Sequence, residues 1–483
     1  MRNNYSRHLA HILKKDKVVE KINMLKASAP STEAEEVVIP PEFNAKDWLT
    51  FLIHIDAELE HGLMVQYLYA AYSIGGDQIK DKDKEMVRGW QEVILGIAKE
   101  EMGHFVSVQN VLRVMGAPLN FERQDFPWDS ELYPFEFTLE PFTLSSLAKY
   151  VYAESPVGWI ESDDGNEKMN EIKQEIKTFL SREAHGDPVG ALFEQILAII
   201  KDTTLINDDV FLPDTYPFQA KFDEWGRGYE GGARGNSTKA NAPGAPDVLV
   251  APLLSRTDAI NALNEIAEQG ESTSMVDNEL SHFERFLKIY IRLRQMPKSF
   301  RPSRNVAFNP TIGDEVADPS SSPSEGLTTD QEIDVITNPV AQDWANLFNV
   351  RYRMLLTFLT HSFLLDNGYN NSGSFSPRGT IIHATFGEMY NLRSIAHVLV
   401  KLPLGDDSGK MAGPPFLIPY TMDIPTSEVS RWRVHQDLLE ASAKLIDTLL
   451  VSADESNHTY LYSLREADKK LNELAEKITN VTV

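Results

Sequence analysis

The sequence contains no cysteine, and this absence excludes several kinds of chemistry at once. Without thiols the chain has no disulfide bond, no cysteine-ligated zinc or iron–sulfur site and no cysteine nucleophile. Any bound metal ion must therefore use histidine, glutamate or aspartate. No stretch of roughly 18 apolar residues occurs, and the basic segment 1–17 lacks an apolar core of signal-peptide length. We therefore expect a cytoplasmic protein with no membrane partner.

Basic residues are scarce relative to acidic ones. The chain has 46 Lys and Arg against 71 Asp and Glu, which gives a formal net charge of −25 at pH 7. This charge repels phosphate backbones and anionic lipid, so we expect no nucleic-acid partner. Hydrophobic residues make up 42% and charged residues 24% of the 483 residues, as in ordinary folded proteins, so wholesale disorder is excluded.

Apolar residues recur at three- and four-residue steps along most of the chain, the spacing of amphipathic helices. Strand-like alternation is scarce and no long internal repeat is found, so the predicted fold class is all-α. The predicted helices span 47–74, 84–115, 144–154, 188–202, 256–271, 275–296, 339–366, 380–401 and 427–477. Two stretches rich in Gly, Ser and Pro separate them: 225–247, interpreted as a loop or lid over one face, and 297–338, interpreted as a linker.

Two of these helices carry a glutamate and a histidine three residues apart within an apolar seam. On 84–115 the pair is Glu101 and His104, and on 275–296 it is Glu279 and His282. This spacing puts a carboxylate and an imidazole about 60° apart on one helical face, so both can reach one metal ion. Because a buried carboxylate without a partner costs free energy, both seams require a cation.

Two further carboxylates interrupt apolar seams, Glu60 in the first long helix and Glu154 at the end of the third. Together with Glu101 and Glu279 they carry four negative charges, which two divalent ions would neutralise. One Glu from each of two helices and an E-x-x-H pair from each of two others form the ligand set of di-iron and di-manganese bundles. The sequence therefore predicts a four-helix bundle that binds two iron ions, with manganese as the alternative.

Other polar residues near these seams carry weaker signals. Tyr67, two turns after the first of the carboxylates, is a candidate catalytic residue that would donate a hydrogen bond or an electron near the metals. The alternative is a core tyrosine bonded to a backbone carbonyl. Glu58 is predicted to face outward, and His61 to be a surface residue or a neighbour of the ligands. His361 and His435 lack an E-x-x-H partner and are interpreted as lone core histidines.

Five motifs follow one another along the first 300 residues. They are ELEHGLMVQYLYAAYSI (58–74), IAKEEMGHFVSVQNVLRVMGAP (97–118), YAESP (152–156), EIAEQGES (265–272) and ELSHFERFLKIY (279–290). In this order they resemble the ferritin-like domain of the iminophenyl-pyruvate dimer synthase family, which includes the ferritin-like enzymes of violacein and rebeccamycin bisindole assembly. NLFNVRYRMLLTFL (346–359) and GKMAGPPF (409–416) are similar to the helical region that follows in longer members.

With this resemblance the chain divides into four parts. They are an N-terminal extension (1–44), a ferritin-like di-metal domain (45–296), the linker (297–338) and a C-terminal helical domain (339–483). The resemblance implies metal ligation by Glu60, Glu101, His104, Glu154, Glu271 and His282. The resemblance thus adds Glu271 to the ligands that the seams predict. The alternative for Glu271 is a solvated carboxylate at a helix end. Glu279 is supported as a ligand mainly by its position in the apolar seam.

The family's characterised members couple two oxidised imines derived from amino acids. We therefore predict a non-haem di-iron oxidoreductase of secondary metabolism that uses dioxygen or peroxide to oxidise or couple a small, amino-acid-derived substrate. Its partners would be that substrate and dioxygen, and a homo-oligomer is possible.

Two alternatives stay open. The first is a ferritin-like iron-binding or ferroxidase protein without an organic substrate, which a large iron-filled assembly in size-exclusion chromatography would favour. The second is a metal-free helical scaffold in which the buried Glu–His pairs satisfy one another. Equal, near-zero metal contents in the wild type and in the variants Glu101→Ala and His104→Ala would favour that scaffold.

Overall fold

A computed structural model of the chain gives its architecture. It describes residues 37, 39–128, 133–163, 165–180, 189–225, 248–250, 252–271, 280–313, 332–366, 376–405, 407–418 and 422–481. Within these residues extended backbone pairs only as isolated bridges and the regular structure is helical, so the predicted all-α class is confirmed. In this part of the chain, no helix combines the length and the apolar character that crossing a membrane requires.

The described residues form twelve α-helices, numbered here α1 to α12. They are α1 Ala45–Ser73, α2 Asp81–Val114, α3 Leu144–Ala153, α4 Glu167–Leu180, α5 Gly190–Lys201, α6 Phe222–Trp225, α7 Arg256–Glu271, α8 His282–Arg294, α9 Pro339–Ser362, α10 Pro377–Leu399, α11 Glu428–Ser452 and α12 His458–Val481. Short 3-10 helices lie at Trp159–Glu161, Asp208–Val210, Pro213–Phe218 and Glu455–Asn457.

Three differences from the predicted helices have local explanations. Helix α4 was not predicted, although its buried Ile172 and Ile176 have helical spacing. The predicted helix 427–477 is two helices, because the Asp454 side chain caps a 3-10 turn that interrupts it. The predicted helix 275–296 begins only at His282, since Ser281 is its N-cap and accepts a hydrogen bond from the backbone N–H of Glu284 at 3.2 Å.

The amino-terminal half of the molecule is built on the pair α1 and α2, which share the most extensive helix–helix contact among the described elements. Gly75 and Gly76, with φ of 108° and 121°, allow the short connection that turns α2 back along α1. Helix α8 packs against α3 and α2, and α7 packs against α8, α2 and α5. A capping box between Thr143 and Ser146 fixes the start of α3 and therefore the position of Glu154 at its other end.

The carboxyl-terminal half consists of α9 packed between α10 and α11, with α12 against α11. The described ends of the predicted linker touch both halves: the Arg304 N–H donates to the Ser73 carbonyl at 2.8 Å and the Ala307 N–H to the Met411 carbonyl at 2.9 Å. Residues 226–247 of the predicted lid and 314–331 of the predicted linker lie outside the described residues. Both interpretations, and the domain division, stay predictions.

His361 of α9 and His435 of α11 were predicted to be lone core histidines, but this prediction is wrong because they pair with each other. His361 Nδ1 lies 2.8 Å from His435 Nε2, and His361 Nε2 lies 3.1 Å from each carboxylate oxygen of Glu428. Both imidazoles are buried, with stacked rings whose centroids are 5.1 Å apart. Burial and, after it, the neighbouring His361 lower the pKa of His435 to about 3.

This lowered pKa predicts acid sensitivity. Because the folded state disfavours the proton on His435, its contribution to stability is complete above the usual pKa of 6.5 and is lost as the pH falls toward 3. Between pH 7 and pH 5 we expect the wild type to lose about 2 kcal/mol more unfolding free energy than His435→Phe. Urea unfolding at both pH values measures the difference, and equal losses in the two proteins would contradict this assignment.

Candidate metal centre

Five of the residues that the sequence predicts as ligands converge inside the amino-terminal helices. They are Glu60 of α1, Glu101 and His104 of α2, Glu154 at the end of α3, and His282 at the start of α8. None is more than 4% exposed. Within the described residues, donor atoms of Glu101, His104 and His282 all lie within 4.8 Å of one another. This buried Glu–His cluster has the ligand types and the closeness that a metal ion requires.

Glu101 is the centre of the cluster. Its Oε2 lies 3.3 Å from His104 Nδ1, and its Oε1 lies 2.6 Å from His282 Nδ1. Each histidine also faces a second carboxylate, since Glu60 Oε2 lies 3.4 Å from His104 Nδ1 and Glu154 Oε2 lies 3.5 Å from His282 Nδ1. Each imidazole thus has one carboxylate of its own and shares Glu101 with the other imidazole.

Two glycines make room around this cluster. A Cβ atom on Gly270 would lie 3.3 Å from Glu154 Oε2, so a larger side chain there would crowd that carboxylate. A Cβ atom on Gly103 would lie 2.9 Å from Val248 Cγ1 and 3.2 Å from the Leu249 backbone nitrogen. The segment 248–250 therefore covers α2 at close range, and the Ser107 hydroxyl fixes it by donating to the Leu249 carbonyl at 2.7 Å.

The outer nitrogens of both imidazoles are bound by acceptors. His104 Nε2 lies 2.8 Å from Gln269 Oε1, and His282 Nε2 lies 2.9 Å from Glu100 Oε2, a carboxylate that also binds Arg285. Because these oxygens only accept, each imidazole donates its Nε2–H and turns Nδ1 toward the cluster. Burial alone would raise the pKa of Glu100, but Arg285 and His282 lower it to about 2.

Without a metal ion, protons balance the charges of the cluster. Burial raises the pKa of Glu60 well above its usual value, and the nearby Glu101 raises it further. Burial opposes charge on both histidines, yet Glu60 and Glu101 raise the pKa of His104 well above 6.5, and Glu101 with Glu100 raises that of His282 to about 10. A metal ion at Nδ1 has to displace these protons.

Unsatisfied buried atoms test whether the cluster fits a metal. Within the described residues, Glu60 Oε2, Glu101 Oε1 and His282 Nδ1 accept or donate no hydrogen bond. The last two atoms approach to 2.6 Å without the geometry of a hydrogen bond. Buried polar atoms in native proteins are rarely left without a hydrogen bond, so these atoms call for another partner. Imidazole nitrogen and carboxylate oxygen are ligands that suit iron, manganese and zinc. The residues therefore fit a metal ion.

Asp56 is a neighbour of the cluster that the sequence reasoning missed. It lies one turn before Glu60 in α1, is 0% exposed, and neither of its carboxylate oxygens has a hydrogen bond within the described residues. Burial raises the pKa of Asp56 to about 8, with His104 lowering it and Glu101 raising it. The available signal was its spacing, because 56, 60, 63 and 67 follow the steps of one helical face.

The other predicted site residues differ in how far the structure describes them. The Tyr67 hydroxyl donates to Glu154 Oε1 at 2.5 Å, so this tyrosine is bonded to the cluster and not to a backbone carbonyl. Glu271 is the last residue of α7, and its side chain lies outside the described residues, as does the whole of Glu279. In the described residues α8 begins at His282, after its N-cap Ser281, and the expectation that Glu279 and His282 share one helical face stays a prediction.

Two residues near Glu60 in α1 are buried, which contradicts the expectation for Glu58 and excludes the surface alternative for His61. Glu58 was predicted to face outward but is 3% exposed, since the segment after α2 covers it and the Tyr133 hydroxyl donates to Glu58 Oε2 at 2.8 Å. Burial raises the pKa of Glu58 to about 7. His61 is not a surface residue, because it is 0% exposed and its Nε2 lies 2.5 Å from the Tyr352 hydroxyl of α9.

Comparison with known protein families defines the class of this domain. A family model described as Ferritin-like matches residues 53–291, the region that contains every described member of the cluster. The chain therefore carries a ferritin-like domain, as the motif resemblance implies.

Two curated enzymes are similar to most of the chain. It is 26% identical over 399 residues to dichlorochromopyrrolate synthase of Lentzea aerocolonigenes and 24% identical over 414 residues to 2-imino-3-(indol-3-yl)propanoate dimerase of Chromobacterium violaceum. These matches cover 77% and 78% of this chain but 36% and 34% of the two relatives, so the chain spans about a third of their length. No solved structure matches the chain significantly.

Proposed function

We propose that the chain is a di-iron oxidoreductase that uses dioxygen or peroxide to oxidise or couple a small, amino-acid-derived substrate. The observation that carries this proposal is the sharing of one buried carboxylate, Glu101, between two imidazoles whose Nδ1 atoms both face it. The relatives support the substrate class, since one is named as a dimerase of an imino acid that bears an indole ring.

In this proposal each half of the cluster holds one ion. Glu60, Glu101 and His104 would bind the first, and Glu101, Glu154 and His282 the second. When bound, the iron pair would supply redox chemistry: joining two C–H carbons releases two electrons and two protons, and dioxygen or peroxide would take these up to give hydrogen peroxide or water. The protein holds the imidazoles by their Nε2–H groups, orients one carboxylate through Tyr67, and excludes water by burial.

Anaerobic reconstitution with Fe(II) tests this function. On exposure to oxygen, the loaded wild type should change its near-ultraviolet absorbance, whereas His104→Ala should not. Glu85→Ala, which removes an exposed carboxylate from the same helix, should behave like the wild type. An unchanged wild-type spectrum would refute the oxidoreductase proposal. Elution of the loaded protein as a large iron-filled assembly would favour iron storage instead.

Tyr67 gives a more specific prediction. Tyr67→Phe removes the hydroxyl that donates to Glu154 Oε1, and loss of such a second-sphere bond typically weakens metal binding about 10-fold or more. Tyr69→Phe is the matched control, because the Tyr69 hydroxyl is also buried in α1 but donates to the Ala307 carbonyl. Competition with a chelator measures both affinities, and equal weakening in the two variants would show that Tyr67 acts only through packing.

A further inference from the structure

A basic cavity lies between the beginning of α2 and helix α10. It has a volume of about 780 Å³. Its basic lining residues are Lys84, Arg88, Arg304, Arg393 and His397, with no Asp or Glu among the described lining residues. This is unexpected in a chain of net charge −25. Because Gln91 in its wall precedes Glu101 by ten residues of the same helix, the cavity lies about 15 Å from the metal centre along α2.

Two of the arginines, Arg393 and Arg304, form no ion pair within the described residues. Arg304 uses its guanidinium to donate to the Ile74 carbonyl at 2.7 Å, which is a neutral acceptor. Burial lowers the pKa of Arg304, and the nearby Asp77 only partly opposes this effect. Both guanidinium groups therefore keep most of their capacity to bind an anion.

The other two cations have only exposed partners. Lys84 pairs with Asp81 at 2.7 Å and Arg88 with Glu92 at 2.9 Å, and all four side chains are more than half exposed. Such surface pairs contribute little and are screened by salt, so a ligand in the cavity can replace the acidic partner at small cost.

A histidine in the cavity wall registers the positive charge around it. Burial lowers the pKa of His397, and repulsion from Lys401, Arg304 and Arg393 lowers it further. The cavity and its cations thus form a region of positive potential on an otherwise acidic protein.

The rest of the wall is suited to an organic molecule. Ile74 and Ile79 from the end of α1 and the turn after it, Val87 from α2 and Val398 from α10 supply apolar surface. Ser394 adds a hydroxyl group. The volume lies within the range of small-molecule sites, which combine an apolar wall with a few convergent polar groups.

We propose that this cavity binds a small organic anion through a phosphate or carboxylate group. Arg393 and Arg304 contact the anionic group, the Arg88 guanidinium in the same wall adds its charge to theirs, and the apolar remainder of the ligand packs against Val87 and Val398. The site lies outside the Glu–His cluster and does not depend on the proposed redox function.

Isothermal titration of the full-length chain with phenyl phosphate, benzoate and neutral benzyl alcohol tests the proposal. At least one anion should bind saturably, equally to chelator-treated and Fe(II)-loaded protein, while benzyl alcohol should not bind. Arg393→Gln should weaken the binding about tenfold, because it removes a charge-assisted hydrogen bond. Arg433→Gln, at an exposed position of α11, should leave the affinity unchanged. The anion that binds more tightly identifies the preferred group.

Three results would overturn this assignment: no saturable binding of either anion, an unchanged affinity in Arg393→Gln, or binding confined to the iron-loaded protein. If circular dichroism shows that Arg393→Gln is unfolded, Arg88→Gln provides the same test. Its side chain is exposed on α2, so the fold does not depend on it. An affinity unchanged in Arg88→Gln would then count against the proposal.

Discussion

Replacement of Glu101 by alanine is expected to abolish stabilisation of the fold by Fe(II). Its carboxylate faces both His104 and His282, so its loss affects both halves of the cluster. With free Fe(II) about 100-fold above its dissociation constant, each bound ion should add about 2.7 kcal/mol to the unfolding free energy, so the wild type with two ions should gain about 5 kcal/mol. The variant should gain none. Urea unfolding with and without Fe(II) under anaerobic conditions measures the difference.

Glu85→Ala is the control for this experiment. It removes a carboxylate from the same helix at an exposed position, so its gain on Fe(II) addition should equal that of the wild type. If Glu101→Ala were stabilised by Fe(II) as strongly as Glu85→Ala, the ions would have to bind elsewhere, and the Glu–His cluster would lose its assigned role.

Arg351→Met is expected to cause the largest loss of stability in the carboxyl-terminal helices. Arg351 is 0% exposed, and its guanidinium binds Glu388 Oε1 at 2.9 Å and Asp468 Oδ1 at 2.8 Å. Its removal leaves two buried carboxylates without their cation, which typically costs about 3–5 kcal/mol. Urea unfolding at pH 7 followed by circular dichroism measures this loss.

Partial rescue distinguishes unpaired charge from poor packing. Adding Glu388→Gln and Asp468→Asn to Arg351→Met removes both stranded charges and should recover part of the lost stability. Arg433→Met, at an exposed position of α11, should change stability by less than about 0.5 kcal/mol. A triple variant no more stable than Arg351→Met would show that the loss comes from packing alone.

The helical class and the core of the cluster were accessible from sequence because both depend on local spacing. Glu60, Glu101 and Glu154 occupy apolar seam positions that fold into the core. Because a buried carboxylate without a partner costs free energy, each of them requires a cation nearby. The structure brings these carboxylates together with His104 and His282 as this reasoning expects.

What escaped prediction depends on tertiary contacts or on a competing local signal. Gln269 and Glu100 hold the two imidazoles, but nothing in their own helices identifies their partners. The pairing of His361 with His435 joins α9 to α11 across 74 residues. At α8 the N-cap preference of Ser281 overrides an apolar spacing that extends further back along the sequence.

Elemental analysis of the purified chain after anaerobic loading and removal of free Fe(II) counts the ions that the Glu–His cluster holds. Because its two halves share Glu101, we expect about two iron equivalents per wild-type chain. We expect far less iron in Glu101→Ala and His104→Ala. Equal, near-zero metal contents in all three proteins would contradict this expectation and would leave the Glu–His cluster as a structural element of a metal-free scaffold.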